Sequence, residues 1–154
     1  MELDKVRKEL DIYDNAIKTL VTLRMSLIPI VTDIKVKNKL PLFQSKRENE
    51  MYSNISKFAK ENGVSEELVT QIYKQIIANA LEIEHSLSEN STESVLSRNI
   101  DEELLEKLRD KFYKLDDILE NEIPSLIEQI KDISLDSKNL TDKATLYYNS
   151  KLNK

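Results

Sequence analysis

Hydrophobic positions in the first part of the chain recur at alternating steps of three and four residues, the spacing of a heptad seam on one face of an α-helix. The seam comprises Leu3, Val6, Leu10, Tyr13, Ile17, Leu20, Arg24, Leu27, Val31 and Ile34. It predicts a helix over residues 3–37, which ends ahead of Pro41 because the residue before a proline resists helical geometry. Pro29 lies inside this helix and is expected to kink it or to remove one hydrogen bond. A seam of this length exceeds what a small monomer can bury, so it indicates a partner chain or a long antiparallel neighbour.

Capping residues predict two further helices before residue 90. Ser45, followed by Glu48 three residues later, has the form of a capping box and would open a helix through about residue 60. Gly63 is the only glycine in the chain and is expected to close that helix in the left-handed conformation. Ser65 then caps a third helix. Its apolar stripe contains Val69, Ile72, Ile76, Ala80, Ile83 and Leu87.

The polar, serine-rich stretch after the third helix is the clearest linker in the chain. The expected organisation is a domain over residues 1–88, a linker over 89–99 and a helical appendage over 100–154. In the appendage, Pro124 suits the first turn of a fifth helix, and the last twenty residues are weakly patterned and expected to be frayed. The fourth helix is indicated by Leu104, Leu105, Leu108, Phe112, Leu115 and Leu119. The predicted fold class is all-α.

Composition narrows the candidate chemistry more than it narrows the fold. The 154 residues include no cysteine and one histidine, His85, and the formal net charge is −5. Thiolate chemistry, a catalytic triad and a histidine-rich metal site are therefore excluded, and neither a metal nor a cofactor is expected. The negative charge argues against nucleic acid as a partner. No apolar run approaches membrane-spanning length, so a cytoplasmic protein without membrane contact is the expectation.

One charge, Arg24, interrupts the first seam. An unpaired buried guanidinium is costly, so an anionic group is expected to meet it. Lys35 follows eleven residues later, which is three turns plus about 20°, so the two side chains point the same way, about 17 Å apart along the axis. Arg7 lies about 25 Å from Arg24 and could reach the same ligand only from an antiparallel second copy. On the third helix, Glu84 lies one turn after Ala80, at the edge of the apolar stripe.

These residues carry a resemblance to a known family. Residues 3–87 resemble the all-helical class of chorismate mutases, and the similarity covers Leu3-Asp4-Lys5-Val6-Arg7, Leu20-Val21-Thr22-Leu23-Arg24, Ile34-Lys35, Pro41, Arg47-Glu48 and Ile76-Ile77 with Glu84. The resemblance implies a three-helix core in an intertwined homodimer, whose long first helices pack antiparallel and whose sites each receive an arginine from the other subunit. It also implies the reaction, the pericyclic rearrangement of chorismate to prephenate in aromatic amino acid biosynthesis. That reaction requires no cofactor.

The resemblance further implies roles for individual residues. Arg7, from the partner subunit, and Arg24 match the arginines that bind the two substrate carboxylates. Lys35 matches a lysine that contacts a carboxylate and the ether oxygen. Arg47 matches another arginine of the charged cluster, and Glu48 matches a glutamate that accepts a hydrogen bond from the substrate hydroxyl.

Three positions depart from the family pattern or add a condition to it. Glu84 falls where the family has Gln or Glu donating to the ether oxygen, and only a protonated carboxyl can donate. Activity that depends on Glu84 is therefore expected to fall as the pH rises. Gln44 stands where an Asp often sits, and Ala80 where a small polar residue often sits. Both are expected to be peripheral substrate-binding positions.

Two other functions stay open on the sequence. One is an isochorismate pyruvate lyase of the same fold, which would use the same cationic pocket and is separated by comparing the two substrates. The other is a non-catalytic helical interaction protein whose working part is the appendage. A snorkelling Arg24, or one paired with an acid such as Glu48, would also explain the charge in the seam. Lys35 alone is typical of a solvated lysine at the end of a helix.

Overall fold

Helices account for nearly all of the structure. The computed structural model describes residues 2–89, 100–133 and 137–152, with only the backbone described for residues 137–143. The helices are α1 (Leu3–Ser26), α2 (Ile28–Lys37), α3 (Ser45–Asn62), α4 (Glu66–Glu89), α5 (Glu102–Asp117), α6 (Ile123–Ile133) and α7 (Ser137–Leu152). A π-helical turn, Ile118–Glu122, joins α5 to α6. The described residues contain no strand, which confirms the predicted all-α class. None of the described helices is long and apolar enough to cross a membrane.

The long first helix predicted from the seam is interrupted once. α1 ends at Ser26 and α2 begins at Ile28, so the break lies at Leu27 rather than at Pro29. Pro29 occupies the first turn of α2 and has no N–H to donate to the preceding turn, which interrupts the helical hydrogen bonding there. Leu27 keeps right-handed dihedral angles (φ −85°, ψ −15°), and its carbonyl accepts from the Val31 N–H at 3.0 Å. The break is therefore local.

The ends of α3 and α4 confirm two predicted caps and overturn one. Gly63 closes α3 with φ 61° and ψ 38°, in the left-handed conformation. The Ser65 hydroxyl accepts a hydrogen bond from the Leu68 N–H at 3.1 Å and so caps α4. The predicted capping box is wrong, because Gln44 is the N-cap of α3 and no side chain caps this end. The helix begins one residue earlier than expected, which places Ser45 inside the first turn.

The appendage contains a widened turn that the sequence pattern did not indicate. The Ile123 N–H donates to the carbonyl of Ile118, five residues back, as in a π-helix. Pro124 follows and has no N–H for the carbonyl of Glu120, so the wider turn lies where a regular helix would lose a hydrogen bond. The expectation of a frayed C-terminal segment is wrong for Ser137–Leu152, which form α7.

The chain divides into two compact units. The first contains Met1–Phe43 and Ile76–Asn99, and the second contains Gln44–Gln75 and Ile100–Lys154. α4 thus contributes its first half to the second unit and its second half to the first. The buried residues described in the first unit are Ile28, Thr32, Asp33, Ala80 and Glu84, and those in the second are Ile55, Ala59, Ser65 and Thr145. The predicted linker falls largely on residues 90–99, outside the described residues, so the division into residues 1–88, 89–99 and 100–154 stays a prediction.

The apolar seam of α1 lies in solvent along this single chain. No residue of α1 is buried. The large hydrophobic side chains that are exposed on this helix are Leu3, Val6, Leu10, Ile12, Tyr13, Ile17, Leu20 and Val21. All but Ile12 and Val21 belong to the predicted seam. The need for a partner that the sequence indicated is therefore not met by the residues that the structure describes.

Candidate active site

An ion pair joins α2 to the second half of α4 within the first unit. Lys35 Nζ lies 2.8 Å from Glu84 Oε1 and donates a second hydrogen bond, of 2.7 Å, to the carbonyl oxygen of Leu42. The Glu84 side chain is 4% exposed and the Lys35 side chain 17%. Solvent screens such a pair weakly, so loss of either partner would leave the other charge buried and unpaired. The structure thus brings the two predicted catalytic residues into direct contact.

Local backbone geometry explains how Leu42 reaches the lysine. Lys35 lies in the last turn of α2, where a cation interacts favourably with the helix dipole. The Leu40 N–H donates to the Lys35 carbonyl at 2.8 Å, and Lys39 takes a left-handed φ of 55°. This turn reverses the chain, so that the carbonyl of Leu42 returns to the side chain of Lys35.

Arg24 provides a second cation in the first unit. It lies in the last turn of α1 and is half-buried. Its Nη1 is buried and has no hydrogen-bond partner among the residues that the structure describes. A buried donor left unsatisfied costs about 1–3 kcal/mol, and more when it is charged. An anionic oxygen would satisfy this nitrogen.

Two other predicted residues of the first unit occupy contrasting positions. Ala80 is buried one turn before Glu84 on α4 and offers a methyl group where a hydroxyl could have formed a hydrogen bond. Arg7 is exposed near the start of α1, with its Nη1 4.0 Å from Asp4 Oδ1. Seventeen residues of helix, about 25 Å, separate Arg7 from Arg24. The single chain therefore does not bring Arg7 to the other cations.

The remaining predicted residues lie at the start of α3, in the second unit. Gln44 is the half-buried N-cap of the helix, Arg47 is exposed, and Glu48 is half-buried in the first turn. A carboxylate in a first turn interacts favourably with the helix dipole, which gives Glu48 a structural role whether or not it binds substrate. The substrate contacts assigned to these three residues stay predictions.

Two features of the first unit were not predicted from the sequence. Asp33 is 0% exposed on α2, where Ile28 and Thr32 are also buried. The Thr32 hydroxyl donates to the Ile28 carbonyl at 2.8 Å. Asp33 lies about 140° around the helix from Ile28, so the three residues do not form one helical face and their spacing did not indicate the burial of Asp33. No sequence pattern indicated the role of the Leu42 carbonyl, because a backbone oxygen can accept a hydrogen bond whatever side chain its residue carries.

The first unit therefore contains two cations and one carboxyl group that can act on an anionic ligand. Among the described residues, no group of three or more His, Cys, Asp or Glu side chains is placed to hold a metal ion. Guanidinium and ammonium groups bind carboxylates, and a neutral carboxyl can donate a hydrogen bond to an ether or carbonyl oxygen. Such an arrangement can bind a dicarboxylate and stabilise negative charge that develops on one of its oxygens.

The similarity of this chain to known proteins lies in the part of the sequence that contains Arg24, Lys35 and Glu84. A family model described as chorismate mutase type II matches residues 6–85. The chain is 34% identical over 76 residues to a chorismate mutase of Methanocaldococcus jannaschii, which is 49% of this chain and 77% of that protein. It is 35% identical over 89 residues to a bifunctional chorismate mutase/prephenate dehydratase of Aquifex aeolicus, which is 56% of this chain and only 25% of that protein. No solved structure gives a significant match.

Proposed function

The chain belongs to the type II chorismate mutase family, and from that premise we propose that it converts chorismate to prephenate in aromatic amino acid biosynthesis. The reaction is an isomerisation in which an ether C–O bond breaks while a C–C bond forms. The observation that carries the proposal is the unpartnered, buried Nη1 of Arg24 in the same unit as the Lys35–Glu84 pair. A cytoplasmic location stays a prediction.

The chemistry of the rearrangement suits these side chains. The reaction needs no nucleophile, but the substrate must be held in a folded conformation and negative charge must be stabilised on the ether oxygen. Arg24 can bind one substrate carboxylate through two parallel hydrogen bonds. Lys35 can exchange its bonds to Glu84 and Leu42 for bonds to a carboxylate and the ether oxygen.

Glu84 is the proposed donor to the ether oxygen. It is 3% exposed, so little solvent would compete for a hydrogen bond to the substrate. Its Oε1 accepts a hydrogen bond from Lys35 in the ligand-free chain, whereas donation requires a protonated carboxyl. The proposal therefore ties turnover to the protonation of this one group.

A homodimer is part of the proposal, and the exposed seam of α1 supports it. The seam is close to symmetric about Ile17. In an antiparallel pair centred on that residue, Leu3 of one copy lies level with Val31 of the other, while Tyr13 and Val6 each lie within one residue of the level of Leu20 and Leu27. Such pairing would remove a continuous apolar stripe from water on both chains.

The same pairing gives a reason for Arg7. In this register, Arg7 of a second copy lies level with Leu27, between Arg24 and Lys35 along the axis. Each site would then contain one arginine from each chain, together with Lys35 and Glu84. This arrangement gives a function to an arginine that is exposed on the single chain.

The start of α3 is proposed to complete the substrate contacts. Arg47 would add to the positive charge, and Glu48 would accept a hydrogen bond from the substrate hydroxyl. Gln44 and Ala80 would make peripheral contacts. These four assignments rest on the family resemblance of their positions.

The decisive experiment follows chorismate in the presence of the purified chain and identifies the product. We expect prephenate, and we expect Lys35→Ala to lower turnover by a factor on the order of 10²–10³ because it removes a group that stabilises developing charge. Lys37→Ala is the matched control, since Lys37 is exposed on the same helix and should leave turnover unchanged. Pyruvate released from isochorismate, without prephenate from chorismate, would instead establish the lyase. No turnover of either substrate by a folded chain would favour a binding protein.

Subunit mixing tests whether the sites are shared. Arg7→Ala and Arg24→Ala chains should each be inactive alone, but a heterodimer of the two contains one intact site. An equal mixture after subunit exchange should therefore recover about a quarter of wild-type activity. Absence of recovery, despite heterodimers detected by mass, would show that Arg7 and Arg24 do not serve one site from two chains.

A further inference from the structure

A second apolar seam runs along the outer side of α5, the π turn and α6. It comprises Leu104, Leu108, Lys111, Leu115, Ile118, Glu122, Leu126, Ile130 and Ile133. Leu104 and Leu126 are 50% exposed, Ile130 64% and Ile133 89%. Lys111 and Glu122 are also exposed. Leu108 and Leu115 are half-buried. A largely apolar seam that is exposed over the rest of its length is typical of an interaction surface.

The π turn keeps the two halves of this seam on one side of the helix. Within α5 the members follow at steps of four and three residues, but from Ile118 to Ile130 each step is four. In a regular helix, three successive steps of four residues would rotate the seam by about 120° around the helix axis. The π turn has more residues per turn than an α-helix and absorbs part of that rotation. Leu126 and Ile130 therefore continue the row that begins on α5.

The charges in the seam indicate what covers it. The seam contains one lysine and one glutamate, placed at nearly equal distances on either side of its midpoint between Leu115 and Ile118. In an antiparallel second copy with a twofold axis at that midpoint, Lys111 of each chain lies level with Glu122 of the other. A parallel copy in register would instead oppose Lys111 to Lys111, which is unfavourable.

The apolar members of the seam match in the same antiparallel register. Leu115 lies level with Ile118 of the other copy, and Leu104 lies level with Ile130.

We propose that this seam is a self-association surface that pairs antiparallel with the same seam of a second copy, with its register set by two reciprocal Lys111–Glu122 ion pairs. A polar pair within an apolar interface contributes little net stability but disfavours other registers. The α1 pairing of the proposed enzyme uses different residues. Chorismate turnover, which depends on the α1 pairing, can therefore be measured separately from association through α5 and α6.

Charge reversal tests the pairing on the full chain. Lys111→Glu opposes two acids and Glu122→Lys opposes two lysines, so each single variant should have a lower mass than the wild type by analytical ultracentrifugation. The double variant Lys111→Glu/Glu122→Lys restores opposite charges and should recover the wild-type mass. Arg109→Glu is the matched control, because Arg109 is exposed about 160° around α5 from Lys111 and should keep the wild-type mass. Wild-type mass in both single variants, or no recovery in the double variant, would overturn the proposal.

Disulfide formation tests the orientation, and the chain has no cysteine to interfere. A mixture of Leu104→Cys chains with Ile130→Cys chains should cross-link, whereas Leu104→Cys chains alone should not. Cross-linking of Leu104→Cys with itself would establish parallel pairing and overturn the proposal.

Discussion

At Arg24 the requirements of folding and of function conflict. The half-buried guanidinium has a buried nitrogen that no described residue hydrogen-bonds, and Lys35 is a second cation of the same unit. This nitrogen does not stabilise the ligand-free chain, because a buried donor without a partner loses its hydration and gains nothing in exchange. Both features are expected of a site prepared for a dianionic ligand.

Replacement of Arg24 separates these two requirements. We expect Arg24→Met to raise the free energy of unfolding of the ligand-free protein by on the order of 1 kcal/mol, because an apolar side chain of similar length leaves no donor unsatisfied. Chorismate turnover should fall by a factor on the order of 10²–10³. Urea unfolding and a turnover assay measure the two effects. The control is Arg7→Met, where an exposed arginine is lost and stability should not change. A large loss of stability in Arg24→Met would contradict the assignment of an unsatisfied donor.

Glu84 makes a prediction about pH. A carboxyl donates a hydrogen bond only when protonated, whereas a glutamine amide donates at every pH. Wild-type kcat/KM should therefore fall as the pH rises, and the fall should be absent in Glu84→Gln. Glu82→Gln is the control, since Glu82 is exposed on the same helix and should keep the wild-type profile. An identical fall in Glu84→Gln would exclude Glu84 as the donor.

Among the elements, the turn between α3 and α4 depends on the appendage. Lys131 of α6 donates a hydrogen bond to the carbonyl of Asn62, at the C-terminal end of α3, where a cation interacts favourably with the helix dipole. Asn149 of α7 donates to Glu67 Oε1 at 3.0 Å in the first turn of α4. Two helices of the appendage therefore contact one turn of the second unit. The appendage contributes to the packing of α3 and α4.

Gly63 provides the test of that contact. Its φ of 61° disfavours any other L-residue except Asn or Asp. A Cβ at this position would displace the ammonium group of Lys131, which would then lose its hydrogen bond to the Asn62 carbonyl. We expect Gly63→Ala to lower the free energy of unfolding by more than the 1–2 kcal/mol typical of the left-handed conformation alone. In a Lys131→Ala background the loss should shrink to about that range. Equal losses in the two backgrounds, measured by urea unfolding, would show that Lys131 does not occupy this space.

For the whole molecule, the exposed seam of α1 predicts that activity requires a second chain. Ile17→Glu places a charge at the centre of the proposed α1 pair and should abolish both the pairing and chorismate turnover, while the helical circular dichroism persists. Ile12→Glu is closely matched, because Ile12 and Ile17 are both 59% exposed but lie about 140° apart around the helix. Ultracentrifugation and the turnover assay would detect the difference. Full activity in Ile17→Glu would remove the basis for a shared site.

The sequence by itself determined the helical class and most helix boundaries. Apolar spacing and the caps at Gly63 and Ser65 act within a few residues, so they can be recognised without the rest of the molecule. The stripe that placed Glu84 one turn after Ala80 is equally local. The alignment of Lys35 with Arg24 assumed an unbroken helix and stays a prediction, because the helix is interrupted at Leu27. The errors were local as well. The N-cap of α3 was predicted one residue too late, and the weak patterning of the last twenty residues was interpreted as fraying.

Only the tertiary structure decided which groups meet. Forty-nine residues separate Lys35 from Glu84, and their contact depends on how α2 and α4 pack. The burial of Asp33 and the return of the Leu42 carbonyl to Lys35 depend on that same packing and on the reversal at Lys39. Periodicity shows which face of a helix is apolar, but it does not show what lies opposite, because the partner is chosen by the packing of the whole unit.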